Sequence, residues 1–256
     1  MKTLFGLFGL VLVSTFSATG FSAALPPPPV FELRVYTAHE GKLPELLTRF
    51  REHTCALFTR HGMMNIGYWV PLDATKDGNK LYYVLQHRNR EAAQASWKEF
   101  GSDPEWKAVQ QASEANGPLV VGVESTFLAM TDYSPTTWSL TPHAHVFELR
   151  IYTTNDDKLA NLDARFRDHT KALFVRHGMT NLQYWHPVDA DKGAGHTLVY
   201  LLAHDSREAA TKSWADFQAD PEWVKVRTES EQAGKILVKD GVKSIFLTPT
   251  DFSALK

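Results

Sequence analysis

Cysteine is almost missing from the sequence. Cys55 is the only one, so no intrachain disulfide bond can form, and we assign this lone thiol no catalytic role. An excess of positive charge is missing as well, since 27 lysines and arginines face 29 aspartates and glutamates. This balance argues against nucleic acid as a partner, and no run of like charges indicates an interaction tail.

Signatures of several enzyme classes are also absent. The sequence has no glycine-rich phosphate loop, no nucleophile elbow and no cysteine pair for haem attachment. No two histidines belong to a His-Glu-Xaa-Xaa-His motif. The sequence therefore predicts neither a metal site nor another cofactor.

Apolar runs long enough to span a membrane are absent too, but a shorter apolar run near the start has a specific interpretation. Residues 4–13 are apolar and follow Lys2, and Ser22-Ala23-Ala24 supplies the small side chains of a signal-peptidase site. The alternative is an uncleaved anchor, but a spanning helix needs about 20 apolar residues. We predict a signal peptide (residues 1–24) cleaved after Ala24, a proline-rich spacer (25–29), and a secreted or periplasmic protein that leaves the membrane after cleavage.

What the chain does have is a duplication. Residues 31–73 match residues 147–189 at 26 of 43 positions, with an offset of 116. Unrelated segments would share only a few of these positions. We predict two repeats, at residues 30–132 and 146–252, joined by a linker (133–145) rich in serine, threonine and proline.

Each repeat shows the same order of predicted elements. In the first, residues 31–37 alternate as a strand does, a helical stripe runs from about Leu43 to His61, and strands follow at 64–70 and 81–87. A helical region from Arg90, which restarts at the Asp103-Pro104 cap, precedes a strand at 120–130. The pattern β-α-β-β-α-β is the ferredoxin-like one.

A ferredoxin-like sheet covers one face with its own helices and leaves the other bare. Two equivalent sheets in one chain can cover each other, which predicts an α+β fold: an intrachain pseudo-dimeric α+β barrel. The alternative is two independent domains. The segment 81–87 argues against it, because it is apolar on both faces.

The repeated motifs resemble those of the NIPSNAP family. They are Phe-Glu-Leu-Arg-Xaa-Tyr, Arg-Phe-Arg-Xaa-His-Thr, His-Gly, Asn-Xaa-Xaa-Tyr-Trp, and Trp-Xaa-Xaa-Phe followed by Asp-Pro-Glu-Trp, and they extend over residues 31–130 and 147–247. The resemblance implies the dimeric α+β barrel fold. It implies no reaction and no catalytic residues, and the signal peptide departs from the organelle-targeted animal members. Other members of the dimeric α+β barrel superfamily include monooxygenases, isomerases and haem-using enzymes. Assigning one of their reactions to this chain would be an analogy of fold alone.

A polar stripe on the first strand of each repeat is the leading candidate for ligand binding. It comprises Glu32, Arg34 and Tyr36, and in the second repeat Glu148, Arg150 and Tyr152. We expect the stripe to point into the barrel interior, where the arginines would hold a carboxylate or an enolate. The alternative is a buried ion-pair network that fixes how the two halves dock.

Histidines and tyrosines at matching positions supply further candidates. His53 and His169 lie beside arginines and a carboxylate in the sequence. Such surroundings can shift the pKa of an imidazole so that it acts as a base, or let it bind haem iron. The candidate catalytic residues are these two histidines together with Tyr68 and Tyr184. His87 and His204 end the third strands and are expected in the same cleft. The alternatives are partly exposed, hydrogen-bonded histidines and core tyrosines. Position 70 is Val while its counterpart is His186, so the halves differ there.

Three functions remain open at this stage. The first is an exported NIPSNAP-like protein that binds a small ligand or a protein partner through its barrel or a cleft. The second is a cofactor-independent monooxygenase or isomerase acting on a small hydrophobic or aromatic acid, and the third is a structural scaffold. A homo-oligomer is left open. A cavity with converging His and Arg would favour the enzyme, and a solid interior the scaffold.

Overall fold

The computed structural model describes residues 28–73, 75, 78–137, 140 and 145–256. The predicted signal peptide, most of the proline-rich spacer and several linker residues lie outside this part of the chain. Eight strands are described: β1 (Val30–Ala38), β2 (Met64–Pro71), β3 (Lys80–His87), β4 (Val120–Met130), β5 (Val146–Thr154), β6 (Thr180–Pro187), β7 (Thr197–His204) and β8 (Leu237–Pro249).

The helices repeat in the same order in both halves. The first half has α1 (Leu43–Arg49), a π-helical turn (Phe50–Thr54), α2 (Cys55–Arg60), α3 (Arg90–Ser102) and α4 (Pro104–Ser113). The second has α5 (Leu159–Arg165), a π-helical turn (Phe166–Thr170), α6 (Lys171–Arg176), α7 (Arg207–Ala219) and α8 (Pro221–Ser230), with a short 3₁₀ turn at Ala190–Lys192. The single first helix predicted from periodicity is therefore interrupted by a π turn in each half.

Local sequence signals set the helix ends as predicted. The Asp103 side chain accepts a hydrogen bond from the Glu105 amide at the start of α4, with Pro104 at the first helical position. Gly62 follows α2 with φ +76°, a conformation that favours glycine. Asp220 and Gly178 do the same in the second half.

The eight strands close into one antiparallel barrel in the order β1-β3-β2-β8-β5-β7-β6-β4. Within each half the order is that of a ferredoxin-like sheet, with the first and third strands in the middle. Two seams join the halves, where β2 pairs with β8 and β4 pairs with β6. The predicted intrachain barrel is confirmed, and each half supplies one wall.

The barrel interior is apolar, which corrects the predicted orientation of the polar stripe. Phe31 and Leu33 of β1 point inward, and their counterparts Phe147 and Leu149 meet them from β5. Rings cross the seams, as Phe31 packs on Trp185 with centroids 5.7 Å apart. Glu32, Arg34 and Tyr36 alternate with these residues and therefore face the helices, as the contact of Tyr36 with Phe50 shows.

The prediction failed because both faces of β1 are covered. At the centre of the barrel, a glutamate would face the apolar side of the opposite sheet. No group there would neutralise its charge. The helix side supplies hydrogen-bond donors, so the charged stripe is stable there. The alternation of residues along a strand separates its two faces, but it does not identify which face points into the barrel.

Each half also holds a short segment from the other half. After β4, the Thr131 amide donates to the Tyr184 carbonyl, and the Ser134 hydroxyl accepts from the Tyr184 amide. After β8, Thr250 and Ser253 make the same two bonds to Tyr68. We call residues 131–134 and 250–253 the latch segments. The first includes Tyr133 and Ser134, which begin the predicted linker.

Within the described part of the chain, none of the helices has both the length and the apolar character that a membrane-spanning helix requires.

Candidate functional site

A buried carboxylate lies at the centre of the predicted ligand-binding residues of the first half. Glu32 is 1% exposed. Its Oε1 accepts hydrogen bonds from Arg34 Nη1 and Ser125 Oγ, both at 2.6 Å. Its Oε2 accepts one from Trp97 Nε1 at 2.7 Å and lies 3.0 Å from His87 Nε2. The Arg34 guanidinium also stacks on the Trp97 ring, 4.2 Å from its centroid.

The second half repeats this arrangement. Glu148 accepts hydrogen bonds from Arg150 and from Ser244 Oγ at 2.6 Å. Trp214 Nε1 lies at 2.7 Å and His204 Nε2 at 3.0 Å from its other oxygen. We call these two sets the glutamate networks. Each lies within one half and ties the sheet to its own helix, α3 or α7, so neither joins the two halves as the alternative interpretation supposed.

Both glutamates are held in the ionised form. Burial by itself would raise the pKa of Glu32, but the hydrogen bond with His87, the charge of Arg34 and the hydrogen bonds from Ser125 and Trp97 outweigh it and lower the pKa to about 2. The pKa of Glu148 is lowered to about 2 in the same way. A carboxylate with this pKa whose two oxygens meet four donors is a poor general base.

The glutamate networks bring together four of the predicted ligand-binding residues in each half. Arg34 Nη2 reaches Tyr36 Oη at 3.5 Å, and Arg150 Nη2 reaches Tyr152 Oη at 3.0 Å. The arginine side chains are only 15% and 12% exposed. Because the guanidinium groups are already paired and stacked, this geometry favours structural stabilisation over capture of an external anion.

The candidate catalytic residues do not converge with these networks. His53 and His169 lie on the π-helical turns and are exposed at the surface. Tyr68 and Tyr184 are buried in the aromatic layer between sheet and helices, and their hydroxyls donate to Asn65 and Asn181. Burial raises the pKa of both tyrosines well above the ordinary value. The residues that the enzyme alternative requires are therefore not brought together in this structure.

The second half holds a polar cluster that the first half lacks. Asp163 Oδ1 accepts a hydrogen bond from Tyr133 Oη at 2.7 Å and lies 3.0 Å from His186 Nε2. Lys171 donates to the Tyr133 carbonyl. The corresponding positions hold Leu47, Cys55 and Val70 of the first half and Phe252 of the second latch segment, all packed against the apolar core of the first half. The difference at position 186 was visible in the sequence, but its partners were not.

The centre of the barrel is solid, but one end is open. A void of only about 10 Å³ remains among the central side chains, no more than a single water needs. At the rim where β1 and β5 end, a cleft of about 550 Å³ opens to solvent. We call it the mouth cleft. Its lining residues are Leu33, Val35, Lys80, Tyr82, Glu124, Thr126, Leu149, Ile151, Val242, Lys243, Ser244 and Ile245.

The mouth cleft has an apolar floor and a charged rim. Leu33 and Val35 from the first half face Leu149 and Ile151 from the second. Charged side chains come from β3, β4 and β8, namely Lys80, Glu124 and Lys243. Sequence reasoning missed these residues because it placed the glutamate stripe inside. One signal in the sequence could have indicated the cleft, namely the alternating apolar residues of β1, if that pattern had been followed to the end of the strand.

A second opening lies outside the barrel at the seam between β2 and β8. This groove, of about 600 Å³, is lined by Pro71, Leu72, Asp73, Arg207 and residues 244–246. Aliphatic side chains from β1 and β5 line the floor of the mouth cleft.

The NIPSNAP family model matches residues 31–135 and 147–254. The chain belongs to the NIPSNAP family. Each NIPSNAP match corresponds to one wall of the barrel, so this chain carries within itself two copies of the family domain. No curated protein matches the sequence significantly.

Two solved structures share the fold of this chain over most of its length, and a third matches a shorter part of it. A candidate monooxygenase from Lactobacillus acidophilus is 13% identical, covers 90% of this chain and 99% of its own, and has a TM-score of 0.56. An anthrone oxidase-like protein is 11% identical, covers 89% and 94%, and has a TM-score of 0.58. A NIPSNAP protein from Agrobacterium tumefaciens is 22% identical and covers 43% of this chain and 99% of its own, with a TM-score of 0.38.

Among the described residues of this NIPSNAP protein, no group of three or more histidine, cysteine, aspartate or glutamate side chains is arranged to hold a metal ion.

Proposed function

We propose that this exported NIPSNAP protein binds a small amphipathic molecule in the mouth cleft. The observation that carries the proposal is the cleft itself, about 550 Å³ between the walls of both halves. Ligand pockets range from about 300 to 1,000 Å³ and combine an apolar lining with a few polar groups. The floor and the charged rim of the mouth cleft fit that description.

The proposal favours binding over catalysis for a physical reason. The acid, base and anion-holding groups of the enzyme hypothesis lie in separate places, since His53 is exposed, Tyr68 is buried against Asn65, and Arg34 is paired with Glu32. The neighbours named for oxidative activity are 11–13% identical and share the fold alone. A binding site requires only the cleft.

A titration with the uncharged fluorophore N-phenyl-1-naphthylamine tests the proposal. We expect saturable binding at one molecule per chain, because the apolar floor excludes water from the probe. Ile151→Glu should weaken binding at least about tenfold, since it places a charge on the floor. Val175→Glu is the matched control, because Val175 is 63% exposed and lies outside the cleft.

Two outcomes would contradict the proposal: the absence of saturable binding, or equal binding by the wild-type and Ile151→Glu proteins. Native mass spectrometry of the purified protein adds a test that needs no probe, since a ligand that co-purifies should be lost in Ile151→Glu and retained in Val175→Glu.

Export rests on the sequence pattern of the first 24 residues. If the predicted cleavage occurs after Ala24, N-terminal sequencing of the mature protein begins at Leu25. A mature protein that retains Met1 would contradict it.

A further inference from the structure

Most of the contacts that hold the two latch segments are the same in both halves. The threonine and serine bonds to the facing tyrosine are equivalent. An aspartate of each latch also forms two hydrogen bonds with an arginine of the facing π-helical turn. Arg167 bonds to Asp132, and Arg51 to Asp251, at distances between 2.7 and 2.9 Å. Because both halves offer these partners, the shared contacts do not determine which half a latch binds.

The barrel core leaves the same choice open. Phe31 packs on Trp185 with ring centroids 5.7 Å apart, and Phe147 packs on Trp69 at 5.4 Å, with 54° between the ring planes in both pairs. Each half therefore carries the same phenylalanine and the same tryptophan. Two copies of the chain could use them to pair first half with first half and second half with second half. We call this alternative the crossed assembly.

The residue that follows the aspartate is where the latches differ. In the first latch it is Tyr133, which is 6% exposed and whose hydroxyl donates to Asp163 at 2.7 Å. His186 Nε2 lies 3.0 Å from the same carboxylate oxygen. We call Asp163 and His186 the polar seat. Their side chains are only 15% and 27% exposed, so water would replace a missing Tyr133 hydroxyl incompletely.

The second latch has Phe252 at the position of Tyr133. The Phe252 ring lies 5.4 Å from the ring of Tyr68 and packs against the apolar core of the first half. Leu47 and Val70 pack against the same core, and they correspond by sequence repeat to the two residues of the polar seat. We call Leu47 and Val70 the apolar seat. Their side chains contain no acceptor for a hydroxyl.

We infer that the aromatic residue of each latch, together with its seat, selects the pairing of unlike halves. In the crossed assembly, Tyr133 would meet the apolar seat and bury its hydroxyl without an acceptor. Phe252 would meet the polar seat and leave Asp163 without the donor that Tyr133 supplies. Neither mismatch occurs in the barrel of a single chain. The polar cluster therefore acts against the crossed assembly as well as for the observed fold.

Exchange of the two rings within the chain tests this selection. Tyr133→Phe with Phe252→Tyr gives each latch the ring that fits its own half, so the mismatches occur within one chain and vanish in the crossed assembly. We expect this latch-exchanged protein to have twice the wild-type mass at about 50 μM, measured by light scattering after size-exclusion chromatography. The wild type should not form the crossed assembly there, because halves linked in one chain meet at an effective concentration of about 1 mM.

Exchange of the seats as well should restore the wild-type mass, because each ring then meets a seat that fits it. The four added changes are Leu47→Asp, Val70→His, Asp163→Leu and His186→Val. Lys98→Ala with Ala215→Lys is the matched control, since these exposed residues hold corresponding positions on α3 and α7, outside the latches and the seats. The control protein should keep the wild-type mass.

A latch-exchanged protein that folds and keeps the wild-type mass would overturn the selection, and so would a doubled mass that persists after the seats are exchanged. If the latch-exchanged protein does not fold, a variant without the polar groups decides. Tyr133→Phe with Asp163→Leu and His186→Val makes both latches and both seats apolar, so no mismatch opposes the crossed assembly. The doubled mass should then appear as the concentration approaches about 1 mM, but not in the wild type. Equal masses for these two proteins over that range would show that the cluster does not select the partner.

Discussion

Arg34 is the single side chain whose loss should reveal most about the glutamate networks. Arg34→Leu removes the arginine that pairs with Glu32, whose side chain is 1% exposed in the folded protein. Breaking a buried pair in this way costs about 3–5 kcal/mol. We expect a fall of that size in the free energy of unfolding, measured by urea denaturation at pH 7, with probe binding at the mouth unchanged in the folded fraction.

Arg51→Leu is the control for this substitution. Arg51 pairs with Asp251 on the surface, where the two side chains are 41% and 65% exposed, so its loss should cost much less than the loss of Arg34. Equal costs for the two arginines would show that the glutamate network does not stabilise the fold.

The same glutamates predict how stability depends on acid. Their folded pKa of about 2 is lower than the ordinary 4.5, so ionised Glu32 and Glu148 stabilise the fold above pH 4.5. That contribution, about 3 kcal/mol for each, is lost as the pH falls from 4.5 towards 2. Urea denaturation between pH 7 and pH 2 should show this loss. Glu32→Gln should be less stable at pH 7 and have a shallower slope in acid, and an unchanged slope would refute the assignment.

At the scale of elements, the polar cluster beside α5 offers a test of coupled replacement. Asp163→Leu alone should lower the free energy of unfolding by about 1–3 kcal/mol, because it removes the acceptor of Tyr133 and the partner of His186. The triple change Asp163→Leu, His186→Val and Tyr133→Phe should recover most of that loss. The first half already packs the same apolar set, with Leu47, Val70 and Phe252.

Denaturant midpoints of the single and triple variants measure this recovery. Additive losses across the three positions would mean that the cluster does not act as a unit.

The elements themselves could be predicted from the sequence, and the choice of strand face could not. The strand 120–130, the helix start at Asp103 and the glycine end at Gly62 rest on local signals, and the structure has all three. The partners of Glu32 come from β3, α3 and β4, up to 93 positions away in the chain. No local pattern indicates which donors will meet a buried carboxylate. The sequence therefore predicts the polar stripe inside the barrel, whereas it faces the helices.

The mouth cleft shows the same limit for the candidate site. Lys80, Glu124 and Lys243 belong to three strands from two repeats, and only barrel closure brings them to one rim. Comparison of the two repeats shows that these positions differ, but many other positions differ too. The sequence could therefore identify the duplicated fold and the repeated residues of the polar stripe, while the cleft required the arrangement of both halves.

At the scale of the whole molecule, each half needs the other. An isolated half would expose the apolar inner face of its sheet, including Phe31 and Trp69 in the first or Phe147 and Trp185 in the second. It would also lose the partner strand at each seam and the latch segment that bonds to Tyr68 or Tyr184. Both losses favour reassociation of halves over independent folding.

We therefore expect separately produced residues 28–137 and 145–256 to combine into a stable one-to-one complex when they are refolded together, and light scattering after size-exclusion chromatography measures its mass. Because the latch segments are exchanged, Ser134→Ala in the first fragment should weaken the complex, since it removes the acceptor of the Tyr184 amide. Ser102→Ala is the control, because Ser102 is exposed at the end of α3 and its hydroxyl donates to the Glu99 carbonyl of the same helix. Two stable monomers that do not associate would show that each wall folds alone, and the mouth cleft would then depend on a contact that the sequence does not enforce.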